Sequence, residues 1–173
     1  MKSLLKIASL ALLVFLASCK KDDDSDVNTS DVVGVWNLTG VSCTNGTTST
    51  IVPGTPAFNG TFTVSGKNYN STVNFKADGT YVSSGSYTAV VTTTLLGSTD
   101  VTEADSGVFE GSGTWSISGS TMTVNDGTTT SSSTITDLTA SKMVFSVEVN
   151  ETQDFGGGAS STTKGTYVFT LTK

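Results

Sequence analysis

The chain has 173 residues, nine Lys, fifteen Asp plus Glu, no His and no Arg, and a net charge of −6. The missing side chains exclude Ser-His-Asp and Cys-His catalysis, histidine metal ligation and arginine clamping of phosphate, and without a basic stripe nucleic-acid binding is excluded too. What remains is a single-domain length with no cofactor signature and no marked catalytic group, which reads as a non-enzyme, with carboxylate or lysine chemistry the only catalysis left open.

Lys2 and Lys6 open the chain, and residues 7–17 form an uncharged, mostly apolar run. That run is of signal-peptide length, whereas a membrane-spanning helix needs roughly 18 residues or more. It ends at Leu16-Ala17-Ser18-Cys19, which resembles the lipobox of bacterial lipoproteins. The resemblance implies a signal peptide over 1–18, cleavage before Cys19, and a diacylglyceryl group on the Cys19 sulfur. An ordinary secretory signal or an uncleaved anchor is the alternative. Buried acyl chain contributes about 0.8 kcal/mol per CH₂, so two or three chains on one cysteine make a lasting membrane anchor. Residues 19–31 follow as a lipidated cysteine and a solvated acidic tether, starting Lys20-Lys21-Asp22-Asp23-Asp24. Its flexible part spans roughly 20 Å root-mean-square. Cys, then Lys, then an acidic run resembles the surface-export signal of Bacteroidetes lipoproteins. That implies an outer-membrane anchor with the domain at the cell surface; a plain spacer would leave it on the periplasmic side.

Beyond the tether, residues 32–173 read as one domain of strands. No window carries a helical apolar period, and Thr and Val alternate with turn signals at short spacing. The spacing predicts strands at about 33–43, 47–52, 59–65, 69–77, 80–95, 102–111, 112–118, 120–126, 129–137, 141–152 and 163–172. Asn45-Gly46, Asp78-Gly79 and Asp126-Gly127 are pairs that suit type I′ hairpin turns, and Gly119-Ser120 suits type II′. Loops are expected near 53–58, 97–106 and 154–162. Cys43 lies in an alternating segment and reads as a buried thiol. Period-two alternation puts Trp36, Phe75, Tyr81, Tyr87, Trp115, Phe145 and Phe169 on the inward face, against Ser and Thr outside. One apolar and one polar face describe an antiparallel sheet wetted on one side. So many consecutive hairpins must roll up to hide their edges, giving an all-β up-and-down meander closed as a barrel of roughly eight to ten strands.

Two segments share the form Gly-x-Trp-x-x-x-Gly, at 34–40 and 113–119, and each is followed by Asp-Gly-Thr, at 78–80 and 126–128. With Phe75 to Tyr81, Ile135 to Leu138 and Met143 to Phe145, this order resembles the lipocalin-like domains common in Bacteroidetes lipoproteins. The resemblance implies a lipocalin-like barrel and a small apolar ligand. Lipocalins stack a late arginine on the signature Trp; here Lys164 or Lys173 is the available substitute.

The seven inward aromatics either line a ligand cavity or fill a core. A second reading is an interaction module at the cell surface, contacting a glycan or a protein through its loops and its Ser/Thr face. The one acidic group that suggests a cation site is Asp100, Glu103, Asp105 and Glu110, whose spacing is not that of an EF-hand.

Overall fold

The computed structural model describes residues 27–109 and 111–173. The expected signal peptide, the expected lipidation site Cys19 and the acidic run expected as a tether lie outside the described residues, as does Glu110. A single helical turn, α1 (Thr29–Val32), precedes eleven strands: β1 (Gly34–Ile51), β2 (Phe58–Lys67), β3 (Thr72–Phe75), β4 (Thr80–Ser84), β5 (Tyr87–Leu95), β6 (Ser98–Ser106), β7 (Gly111–Ser118), β8 (Thr121–Asn125), β9 (Thr130–Leu138), β10 (Lys142–Gly156) and β11 (Ala159–Thr172).

Eight of these close into an antiparallel barrel in the order β1-β3-β4-β7-β8-β9-β10-β11, with β11 returning to β1. The remaining three, β2, β5 and β6, extend outward from β1 in the order β1-β2-β5-β6. The barrel is thus an up-and-down meander interrupted by two excursions. Its walls differ in height. β3, β4 and β8 have four or five residues each, whereas β1, β10 and β11 have 18, 15 and 14. The long strands outrun the barrel and carry β2, β5 and β6 as a tall curved wall above its mouth.

Alternation places the core. Trp36, Val73, Phe75, Met122, Met143, Phe145 and Leu171 point inward from five of the eight barrel strands and are fully buried. Gly113 faces the same interior at a point where a Cβ would run into the Asn125 carbonyl, so two backbones meet there that only glycine allows.

Several local expectations are corrected. Asn45-Gly46 does not turn. β1 runs through it as a bulge, with register breaks between Ser42 and Thr47 and between Cys43 and Gly46. The Asn45 carboxamide is spent on β11, accepting from Thr166 N (3.0 Å), and the Phe62 ring covers Gly46. The expected strand 80–95 divides at Gly85 (φ +84°), where the chain leaves the barrel for the wall. The expected loop 97–106 is almost wholly strand β6, and 154–162 is a tight hairpin end. At Asp78-Gly79 and Asp126-Gly127 only the glycines have positive φ, so these are not type I′ turns. Each aspartate instead caps its own turn: Asp78 Oδ1 accepts from Thr80 N and Oγ1 (2.9 and 2.7 Å), and Asp126 Oδ1 accepts from Thr128 N and Oγ1 and from Thr129 N (2.7–2.8 Å). The repeated Asp-Gly-Thr is therefore an Asx turn used twice. Residues 29–31, expected to be the end of a tether, are helical in α1. Asn28 caps α1 through Ser30 N, and Val32 is completely buried against the barrel.

Candidate functional site

The two ends of the barrel are built differently. At the lower end the chain enters through α1 and leaves through Lys173. Trp36 Nε1 donates to the Val32 carbonyl (2.7 Å), which ties α1 across the opening. Lys173 Nζ sits 4.3 Å from the centre of the Trp36 ring and donates to the carbonyls of Asp31 and Val33 (2.9 and 3.0 Å). Of the two lysines that could replace the late arginine, the fold uses Lys173; Lys164 lies exposed on the wall. Trp115, midway along β7, is pinned similarly, with Nε1 shared between the Lys76 and Thr80 carbonyls at 3.1 Å each. Both Gly-x-Trp segments hence place an indole whose N–H closes onto backbone, and this end is sealed.

The upper end, the mouth, holds a cavity of about 270 Å³. Phe145, Phe169, Tyr81, Val124 and Val147 form its apolar lining, and Asp126, Thr129 and Ser131 contribute polar groups. The hydrogen bonds of the Asp126 turn, led by Thr129 N–H and then by Thr128, hold its carboxyl below the ordinary aspartate value, so the rim is anionic at neutral pH. Burial pushes the Tyr81 hydroxyl up, with the Asp126 charge adding to it. The cavity's remaining wall is the loop between β6 and β7. Val108 there is buried, and its carbonyl accepts from Ser83 Oγ (2.6 Å). Phe109 lays its ring against Phe145 with centroids 5.4 Å apart and planes at 23°, and Phe145 stacks in turn on Phe169 (5.1 Å, 12°). Phe75 and Tyr81 meet Phe109 edge-on at 6.3 Å.

The seven sequence-predicted aromatics thus separate. Tyr81, Phe145 and Phe169 line the mouth cavity. Trp36 and Phe75 are core, and Trp115 is core with one edge on a depression beside α1. Tyr87 is in the flank of the wall, stacked on Tyr69 (6.2 Å), not in the barrel. Phe109 was not among them. It lies outside any alternating strand, so period two carries no signal for it; the glycines at 107, 111 and 113 around it are the one trace in the sequence.

The acidic group does not assemble. Strand alternation puts Asp100 on one face of β6 and Glu103 and Asp105 on the other. Glu103 pairs with Lys67 (2.7 Å) and Asp105 accepts from Thr88 Oγ1 (3.2 Å). Among the described residues no three His, Cys, Asp or Glu side chains converge. Cys43 is buried and free, its sulfur 3.6 Å from Asn45 Oδ1.

The top of the wall is a separate surface. The β1–β2, β5–β6 and β10–β11 hairpin ends lie together there, Gly158 standing beside Pro53. They expose Ile51, Val52, Phe58, Leu95, Leu96 and Phe155. Below them Thr47, Ser49, Thr61, Thr94 and Thr162 line a shallow depression of about 710 Å³.

Compared with known proteins, residues 32–145 match the family model of the lipocalin-like domain. A search of curated proteins returns no match.

Proposed function

The chain belongs to the lipocalin-like family, and from that premise we propose that it is a membrane-anchored, non-catalytic binding protein that takes a small apolar ligand at the barrel mouth. The observation that carries this reading is the asymmetry of the barrel ends. The Trp36 end is closed by a cation, an indole and a helical turn. The mouth keeps an aromatic cavity with a few polar groups on one side, the arrangement expected of a small-molecule site. Native mass spectrometry of the chain purified from its own membranes should show a bound small molecule, and displacing it should change tyrosine emission. A ligand-free spectrum, together with no emission change across a panel of apolar compounds, would refute the reading.

The anchor part of the proposal is supported by Leu16-Ala17-Ser18-Cys19 and by the uncharged run before it. The polar run after Cys19 supports a tether, and its Lys-then-acidic order supports an outer-membrane protein facing the cell surface over the periplasmic side. Cys19→Ser should abolish labelling by radioactive palmitate and leave the unprocessed precursor. Protease shaving of intact cells should release the domain; protection would place it on the periplasmic side.

One observation favours a second reading, in which the domain also contacts a surface glycan or protein. The hairpin ends hold two exposed aromatics, Phe58 and Phe155, above the Thr-lined depression, and aromatic faces beside hydroxyls suit sugar rings. A glycan array probed with the chain tests it, and a blank array counts against the glycan form.

A further inference from the structure

Phe109 is held in a conformation that its own chemistry disfavours. Its φ is +48°, a region a bulky side chain rarely adopts. Such a backbone persists only where surrounding contacts over-determine it, and it concentrates at ligand clamps and switches. Here the contacts are the Ser83 bond to the Val108 carbonyl and the ring's place among Phe75, Tyr81 and Phe145. Gly111, the first residue of β7, has φ +84°, so the segment that carries Phe109 joins the barrel through a conformation that glycine adopts without strain. Phe109 itself is only partly buried, one side of it forming the wall of the 270 Å³ cavity. That volume lies just under the ~300 Å³ at which ligand sites begin, and vacating the phenyl ring would carry it past that size.

We propose that Phe109 is a displaceable plug, and that the ligand is a planar ring compound that takes its place in the stack. The inference rests on the reading of the mouth as a ligand site and adds what the site selects. The vacated space is a slot: Phe145, itself stacked on Phe169, presents a face at one side, and Phe75 and Tyr81 present edges. A flat aromatic or conjugated ring reproduces every contact that Phe109 gives up, whereas a flexible acyl chain reproduces none of the stacking. The charge at the rim narrows the class further. All three hydrogen bonds to Asp126 are accepted by Oδ1, which leaves Oδ2 of this cavity-lining residue free to accept from a ligand. An ionised carboxylate there, on a chain of net charge −6, accepts a hydroxyl or N–H donor and repels an anion. The site is therefore assigned to neutral or cationic ring compounds with a donor at one edge, and not to fatty-acid anions.

The test is titration calorimetry on the full chain in detergent, with a detergent blank, using 2-naphthol as the ring probe and octanoate as the acyl anion. Wild type should bind 2-naphthol and not octanoate. A plug that must leave first weakens apparent affinity by the fraction of time the site is free, so Phe109→Ala should bind 2-naphthol at least about tenfold more tightly. Ser83→Ala keeps the ring but removes the loop's anchor, and should tighten binding in the same direction; it carries the test if the Phe109 variant does not fold. Binding by wild type with equal or weaker binding by both variants would overturn the plug and leave the ligand-binding reading standing. Binding by Phe109→Ala alone would mean that Phe109 is core and the cavity an artefact of its removal, overturning both. Preference for octanoate would overturn the ring class.

Discussion

Lys173→Met isolates the seal at the Trp36 end, because methionine keeps the apolar stem and removes the ammonium. Three interactions go with it: the cation over the Trp36 ring at 4.3 Å, and the charge-assisted bonds to the Asp31 and Val33 carbonyls at 2.9 and 3.0 Å. A cation–π contact at a partly exposed site contributes about 0.5–1 kcal/mol. Hydrogen bonds from a charged donor contribute about 1.5–3 kcal/mol each where water is excluded. Lys173 is an exposed residue, so water replaces much of what the two carbonyls lose, and a total near 2 kcal/mol is the reasoned loss. For a domain of this size that corresponds to a fall in Tm of about 4–8 °C. The lysine stem also passes Gly34, whose φ of +133° would strain any side chain and where a Cβ would crowd Lys173 Cε at 3.1 Å. Lys173→Arg should therefore hold Tm within about 2 °C, since guanidinium stacks on indole at least as well as ammonium. Thermal melts followed by tryptophan emission read both variants. A Lys173→Met melt within about 1 °C of wild type would show that α1 closes the barrel without the cation. Equal damage from Arg and Met would show that the ammonium geometry, not cation stacking, is what matters.

Leu96→Asn should raise stability by about 0.5–1 kcal/mol, because Leu96 and Gly97 both have positive φ in a two-residue turn where Asn-Gly is preferred; an unchanged or lower denaturant midpoint would refute the turn argument. Gly113→Ala should cost more than about 2 kcal/mol or prevent folding, since the Cβ would displace the Asn125 carbonyl; wild-type stability in that variant would mean that β7 and β8 shift apart freely. Burial raises the hydroxyls of Tyr81, Tyr87 and Tyr167 above the ordinary tyrosine value of 10.0. The unfolded chain therefore loses these protons first on going alkaline, so their contribution is complete below about pH 10 and is lost above it, up through the raised values. Urea midpoints should be flat from pH 8 to 9.5 and fall by pH 11, and Tyr87→Phe should lessen the fall; a midpoint as high at pH 11 as at pH 8 would sink the assignment.

The barrel was legible because its information is local. Alternation in Met143-Val144-Phe145-Ser146-Val147 and in Tyr167-Val168-Phe169-Thr170-Leu171, broken only by Val144 and Val168, marks which face is inside, and both segments are strands with those faces inward. The wall was legible only in part: β2 and β5 overlap the expected strands 59–65 and 80–95, whereas β6 was read partly as a loop. Ser98 to Ser106 is exposed on both faces, so no alternation separates it from a loop; its strand character comes from nine paired residues on β5. Asn45-Gly46 misled because turn chemistry competes with sheet pairing, and the partner that decides, Thr166, is over a hundred residues away. Phe109 was invisible because its burial is conferred by three aromatics from other segments and by no pattern of its own.

The wall also raises the question of why so exposed a structure does not polymerise. β6 has an open side, and so does β10 beyond Ser146, where β9 stops pairing. Open, flat edges of Thr-rich strand invite a second chain to add on. Both carry acids at short intervals: Asp100, Glu103 and Asp105 on β6, and Glu148, Glu151 and Asp154 on β10. If two chains met by either edge, or by one of each, carboxylates would face carboxylates; among the described residues, Glu103 is the one of the six with an ion-pair partner, Lys67. The acidic run that first suggested a cation site is better explained as this repulsion. That explanation has a measurable consequence. Replacing Asp100, Asp105, Glu151 and Asp154 together by Asn or Gln should leave the monomer's melting temperature nearly unchanged while driving concentration-dependent association, seen by light scattering. A variant that stayed monomeric at high concentration would show that the edges are protected by their twist and not by their charge.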